Sequence, residues 1–298
     1  MKQQKVNQRA TFLITAVVLL VVVLLIGILS YLLIAGLPHV SWHFLTSSAA
    51  SFTAGGGIRD QLFNSFYLLV LTILISLPIA LGAGIYLNEY AKDSFFNQLL
   101  RTTIEVLSSL PSVVVGLFCY LFFVIQLQIG FSILAGSLAL TFFNLPLLTR
   151  SIEEALHTVP NLQREAGLAL GLSNWKTITN VLLPVALPGI LTGVILSCGR
   201  IFGEAAALIF TAGQSAINVD YSNWNPFAAT SFLNPLRPAE TLAVHIWKVN
   251  TEATTPDAVS ISYGSSVILI LVLLLFNFCA RFLGQRLYQK LTATTKKR

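Results

Sequence analysis

"ILTGVILSCGRIFGEAAALIFTAG" (190–213) is an apolar run long enough to cross a bilayer, and it carries Arg200 and Glu204 near its middle. A charge at the centre of a spanning helix costs roughly 2.5–3.5 kcal/mol on insertion scales, so such residues pair or line a polar route. The rest of the chain agrees on the medium. Its 298 residues are 55% hydrophobic and only 10% charged, with a mean hydropathy of +0.77. A soluble domain carries about 25% charged residues. Runs of spanning length fall at about 11–37, 62–88, 104–127, 131–149, 185–212 and 259–284. Each reaches or approaches the roughly 20 apolar residues a helix needs to cross the hydrocarbon core. The expected fold class is therefore an all-α integral membrane protein with six transmembrane helices.

The first run follows Lys2, Lys5 and Arg9 but is far longer than the roughly 7–15 apolar residues of a signal peptide, so it reads as a retained helix. Lys and Arg then set the orientation. With both termini inside, the inner segments hold Lys2, Lys5, Arg9, Lys92, Arg101, Arg150, Arg164, Lys176, Arg281, Arg286, Lys290, Lys296, Lys297 and Arg298. The outer loops hold only Arg59, Arg237 and Lys248. This imbalance explains the net charge of +6 without a nucleic-acid partner, and the basic tail suits anionic headgroups. Cys119, Cys198 and Cys279 fall in separate spans, with neither metal nor disulfide spacing. The four histidines are scattered, so metal-dependent chemistry finds no ligand set.

The expected organisation is a helix and outer loop over 1–60, a core over 61–284 and a basic tail over 285–298. Within the core, an outer loop spans 213–258. There "PAETLAVHIWKVN" puts Leu242, Ile246 and Val249 at helical spacing, predicting a short interfacial helix. Arg59 and Arg237 are candidates to meet an outer partner. The inner loop 150–184 reads as two short helices. Pro160 opens the first, Gly171 offers a left-handed stop, and Ser173 caps the second. Leu162, Ala166 and Ala169 give the first a face for docking onto another protein or for resting on headgroups.

On a helical wheel, Gly193, Ser197, Arg200, Glu204, Ala207 and Thr211 form one polar, small-residue stripe. Two readings stand. Arg200 and Glu204, one turn apart, form an ion pair that locks the bundle. Alternatively the stripe, with Gly203, lines a path on which a guanidinium offers forked donors to an oxyanion.

"EAGLALGLSNWKTITNVLLP" (165–184) resembles the EAA motif of the inner-membrane permeases of binding-protein-dependent ABC importers. Glu165, Ala166, Gly167, Gly171, Val181, Leu183 and Pro184 hold the motif positions, with Gly167 and Val181 as mild departures. "PIALGAGIYLNEYA" (78–91), "LPSVVVGLF" (110–118) and 187–213 are similar to the PstA family of phosphate permeases, the last through Arg200, Gly203, Glu204, Ala206 and Leu208. Ala205 and Ala207 stand where that family usually has Thr and Pro.

The resemblance implies a type I ABC importer permease (MetI-like) fold in a bacterial inner membrane. It implies a pore shared with a PstC-type permease, a PstB-type ATPase dimer, and delivery by an extracytoplasmic binding protein, PstS. It also makes Glu165, Ala166, Gly167, Leu170, Gly171 and Pro184 the coupling residues that seat on the ATPase. The chain contains no Gly-rich phosphate loop, so ATP and Mg belong to that partner, and this chain is no enzyme and needs no cofactor. Other oxyanions (sulfate, molybdate, phosphonate) and an ion-coupled carrier are the rival readings.

Overall fold

The computed structural model describes residues 2–50, 52–91, 94–215, 219–253 and 255–293. Lys92, Lys296, Lys297 and Arg298, counted above for orientation, lie outside the described residues. The described chain is helical and, among the described residues, has one isolated bridge (Asp220 with Ser231) and no strand. In order the helices are α1 Lys2–Gly36, α2 Trp42–Thr46, α3 Arg59–Ile85, α4 Phe95–Ser109, α5 Ser112–Cys119 and α6 Ile133–His157. They continue with α7 Asn161–Ala169, α8 Asn174–Thr177, α9 Leu183–Phe202, α10 Ala206–Thr211, α11 Leu242–Glu252 and α12 Ala258–Ala293. Wider π-helical turns extend α3 (Tyr86–Tyr90) and α5 (Tyr120–Gln126) and join α8 to α9 (Ile178–Leu182).

Five of these segments are long and apolar enough to span: Ala10–His39, Arg59–Tyr90, Ile133–His157, Asn174–Phe202 and Ala258–Arg286. The third expected span, 104–127, is not straight. Phe95–Ser109 and Ser112–Gln126 meet at 101° and make one span only as a bent pair. The cause is local. Leu110, held extended before Pro111, ends α4. Arg101 and Glu105 then pair α4 with Glu153 and Arg150 near the end of α6. Residues 104–109 therefore belong to an amphipathic helix crossing that end, with Phe95, Phe96, Leu99 and Val106 exposed on it.

The fifth expected span also differs. α9 stops at Phe202, three residues break the helix, and α10 resumes at Ala206. Register places this break deep in the bundle. α9 runs antiparallel to α6, with Gly189 against Ala155 and Gly193 against Ser151. α10 carries the chain on to the start of α6, where Ser132 N–H donates to Thr211 O at 3.1 Å. Arg200 accordingly lies level with Phe143, next but one to Leu145, the midpoint of α6.

Lipid supplies no hydrophobic drive between helices, so close packing by small residues holds the bundle. A Cβ added at Gly116 would lie 2.6 Å from the Ala207 Cα, and one at Gly193 would lie 2.7 Å from the Ser151 Cβ. α3 and α6 make the central pair, with Leu68, Leu69, Ile133 and Leu140 buried together beside Phe202 and Leu208. α1 is peripheral: it meets α12 at Gly36 and through Tyr31 with Tyr263, and its apolar side chains from Phe12 to Leu29 are exposed. α11 departs from the interfacial expectation. Leu242 is fully buried with Phe44, Ile58 and Ile268, so the helix is built into the bundle's end.

Replacing Gly116 with Val is expected to force α5 and α10 apart, at about 1–3 kcal/mol for overpacking. A lower melting temperature of the purified protein in detergent checks this.

Candidate functional site

The break in α9–α10 gathers the residues singled out above. Arg200 occupies the last turn of α9, where the helix dipole favours a cation by about 0.3–1 kcal/mol. Its guanidinium sits over the Phe143 ring, 3.8 Å from the ring centre. Cation–π contact of this kind contributes about 0.5–2 kcal/mol and leaves every N–H donor free. Among the described residues Arg200 forms no ion pair. The expected pairing with Glu204 fails because the helix ends between them. Glu204 Oε1 instead accepts the backbone N–H of Ala207 at 3.3 Å, capping the first turn of α10.

The predicted stripe divides. Gly193 faces Ser151, Ala207 faces Gly116, and Thr211 is fully buried, so these residues pack helices together. Ser197, expected on an open path, is 1% exposed, and its hydroxyl has no hydrogen-bond partner among the described residues. Arg200 and Glu204 are half-buried and Gly203 is exposed. A Cβ at Gly199 would meet nothing within 4 Å, and one at Gly203 only the Gly199 carbonyl. With exposed Leu196 they form the uncovered face of α9.

Two residues of this site were given no role from the sequence. Phe143 supplies the ring under Arg200. Asn144, beside it, is fully buried, and among the described residues neither polar atom of its amide has a hydrogen-bond partner. An isolated amide inside "TFFNLPLL" (141–148) was the available signal.

At the far end of α6 the inner loop takes the anticipated form. Pro160 precedes α7, Gly171 adopts φ +78°, and the Ser173 hydroxyl accepts Lys176 N–H at 3.4 Å. Gly167 is buried against Thr177. Glu165, Ala166 and Gly171 are exposed, as are Leu162, Leu170 and Trp175, the first two by about four-fifths. Pro184 starts α9. Leu162, Leu170 and Trp175 thus project as an uncovered apolar knob.

The opposite end carries a buried polar cluster. Glu240 accepts from Gln61 Nε2 at 2.8 Å and lies 3.2 Å from His245 Nδ1. Arg237, expected at the surface, is 2% exposed and donates to Asn64 Oδ1 at 2.6 Å. Burial pulls its pKa down, against the opposing pull of Tyr221, Tyr67 and Asp60. Burial and the hydrogen bond to Asp60 push Tyr221 up. Arg237 is therefore a structural pin. Arg59 is half exposed, paired with Asp60 and stacked over Tyr221.

A family model described as "Binding-protein-dependent transport system inner membrane component" matches residues 77–293. The chain is 48% identical over 293 residues to a probable ABC transporter permease protein, YqgI, of Bacillus subtilis, covering 98% of this chain and all of that one. It is 34% identical over 258 residues to the phosphate transport system permease protein PstA of Haemophilus influenzae, covering 87% and 86% of the two chains. Among solved structures, a bacterial alginate ABC transporter superposes with a TM-score of 0.66 at 13% identity, covering 94% of this chain and 96% of that one. The MetNI methionine ABC transporter superposes at 0.56 and 18% identity, covering 79% and 94%. These likenesses establish the fold.

Glu204→Ala is expected to cost about 1 kcal/mol through the lost cap on α10, and Glu204→Gln less, because an acceptor oxygen remains. Melting temperatures of the two purified variants in detergent check the order.

Proposed function

Because the chain belongs to the family of inner membrane components of binding-protein-dependent transport systems, and is a multi-pass permease of the MetI-like fold, we propose that it is the PstA-type half of an ATP-driven phosphate importer. The observation that carries the chemistry is Arg200: a guanidinium at mid-bundle, on an uncovered helix face, balanced by a ring rather than a carboxylate. Several relatives at 32–40% identity bear the name of phosphate permease, which supports phosphate over the other oxyanions.

In this reading the uncovered face of α9 meets a PstC-type permease, and the route for phosphate runs between the two. Arg200 presents forked donors to the anion. Phe143 holds the guanidinium in place without consuming a donor. Gly203 leaves room for close approach, and the nearby Glu204 carboxylate keeps the site weak enough to be left as well as entered. Ser197 stands behind this face rather than on it.

The membrane is the bacterial inner one. The excess of Lys and Arg puts the α7–α8 loop and both termini in the cytoplasm and residues 213–258 outside, towards a PstS-type binding protein. The knob of Leu162, Leu170 and Trp175, with Glu165, Ala166 and Gly171, seats on a PstB-type ATPase dimer. ATP and Mg are handled there. Closure of that dimer displaces α7 and favours one state of the bundle, through contacts that differ between states.

In cells expressing the full complex, Arg200→Gln is expected to abolish uptake of labelled phosphate while the ATPase still co-purifies. Phe143→Leu is expected to raise the half-saturating phosphate concentration by about tenfold, the scale of one cation–π contact. Loss of assembly in Arg200→Gln, or uptake that sulfate, molybdate or phosphonate competes away, overturns the reading.

Gly171→Val forces a β-branched residue into the left-handed region, a strain of roughly 1–2 kcal/mol. It is expected to lower the yield of ATPase pulled down with the permease. An unchanged yield counts against docking through this loop.

A further inference from the structure

Glu89 lies near the end of the "PIALGAGIYLNEYA" segment (78–91), yet neither the anion site nor the docking knob uses it. It sits in the π-helical turn Tyr86–Tyr90 that ends α3, with its side chain only 7% exposed. Its Oε1 accepts from Arg164 Nη2 of α7 at 2.5 Å and from Asn88 Nδ2 at 2.6 Å. Arg164 also donates to Asn161 Oδ1 at 3.2 Å within α7.

Space surrounds this contact. Cavities of about 250 Å³ and 400 Å³ flank it, and Asn88 and Arg164 line both. Arg164 thus forms part of the wall of both voids, and Glu89 part of the wall of the smaller one. α7 reaches the end of α3 through a bridge, while Gly167 seats its other side on Thr177. The bridge continues inward. Arg101 of α4 donates to the Leu87 carbonyl of the same π-helical turn at 3.1 Å and pairs with Glu153 of α6 at 2.9 Å. At the far end of α3, Phe66 packs edge-on against Phe202, the last residue of α9 before the break beside Arg200.

We propose that Arg164 and Glu89 are positioning residues that tie the docking helix to α3, so that a displacement of α7 reaches the helix break through α3. This rests on the reading of α7 as the ATPase dock. A largely buried carboxylate suits the task. Removing one partner leaves an uncompensated charge in a poorly solvated place, so the pair moves as a unit before it separates.

The test uses the complete transporter in liposomes and follows amide hydrogen exchange before and after trapping with ATP and vanadate. In the wild type, exchange is expected to change in both 161–169 and 86–90. In Glu89→Gln and in Arg164→Gln the change in 161–169 persists and that in 86–90 is lost. Phosphate taken up per ATP hydrolysed falls by about fivefold or more, the lower end of typical coupling between sites. The charge-swapped double variant Glu89→Arg/Arg164→Glu is expected to recover the response at 86–90. A response at 86–90 that survives either single change, or a swap that restores nothing, overturns the tie. So does a Glu89→Gln complex that loses its ATPase, since the pair then serves loop assembly. A wild-type 161–169 segment insensitive to ATP overturns the docking reading itself, and the tie with it. Absence of phosphate uptake in a wild type whose exchange responds overturns only the choice of solute.

Discussion

In hydrocarbon every backbone amide and carbonyl must find a partner inside the protein, and non-helical backbone survives at depth only where it is buried or borders a polar route. The break at Gly203–Ala205 is such a place, and the surrounding architecture answers to it. Glu204 supplies an acceptor to the restarting helix, α5 shields α10 through the contact of Gly116 with Ala207, and Phe202 anchors the end of α9 on Phe66. Arg200 is left at a helix C-terminus over a ring, which lowers the cost of holding it there. An unbroken helix would have put Arg200 and Glu204 one turn apart and let them neutralise each other. The break keeps the guanidinium's donors available.

The same constraint explains why small residues matter more here than large apolar ones. Gly193 against Ser151 and Gly84 against Ile152 set how closely α9 and α3 approach α6, and therefore the depth at which Arg200 meets Phe143. The polar stripe on the fifth span is largely this packing face. A stripe of small residues on a wheel reports close neighbours as readily as it reports water, and only burial separates the two.

Much of the architecture was legible in the sequence because its signals are local. Apolar runs mark the spans, and Gly171 and Ser173 mark the bends of the inner loop, since a left-handed stop and a hydroxyl cap act over a few residues. What escaped depends on partners distant in sequence. No property of 190–213 alone says that the helix ends at Phe202, because the contacts that stabilise the break come from α3, α5 and α6. The bend at Leu110–Pro111 shows the same thing. Its proline was visible, but proline is common in spans, and the ion pairs with Glu153 and Arg150 that hold α4 across the bundle's end were not. Arg237 misled in the opposite sense, since a basic residue in a polar loop looks exposed until Asn64 is found beneath it.

The two ends of the bundle are built differently, and this bears on which of them moves. At the end near Glu240, buried side-chain hydrogen bonds cross between α3 and the 213–258 segment, and Ile133 N–H and Leu134 N–H bond to the carbonyls of Arg237 and Pro235. Separating these elements would strand several buried polar groups at once, each costing about 1–3 kcal/mol. At the other end α7 is bordered by two cavities and an ion pair, and Leu162, Leu170 and Trp175 have no cover. α7 can shift there without stranding a buried group as long as Arg164 and Glu89 move together, and a partner that covers the knob adds contacts rather than replacing them. In the proposed reading, a push applied to α7 is therefore passed to α3 through Arg164 and Glu89. On that reading the end near Glu240 is the fixed point about which α3, α6 and the broken helix would turn.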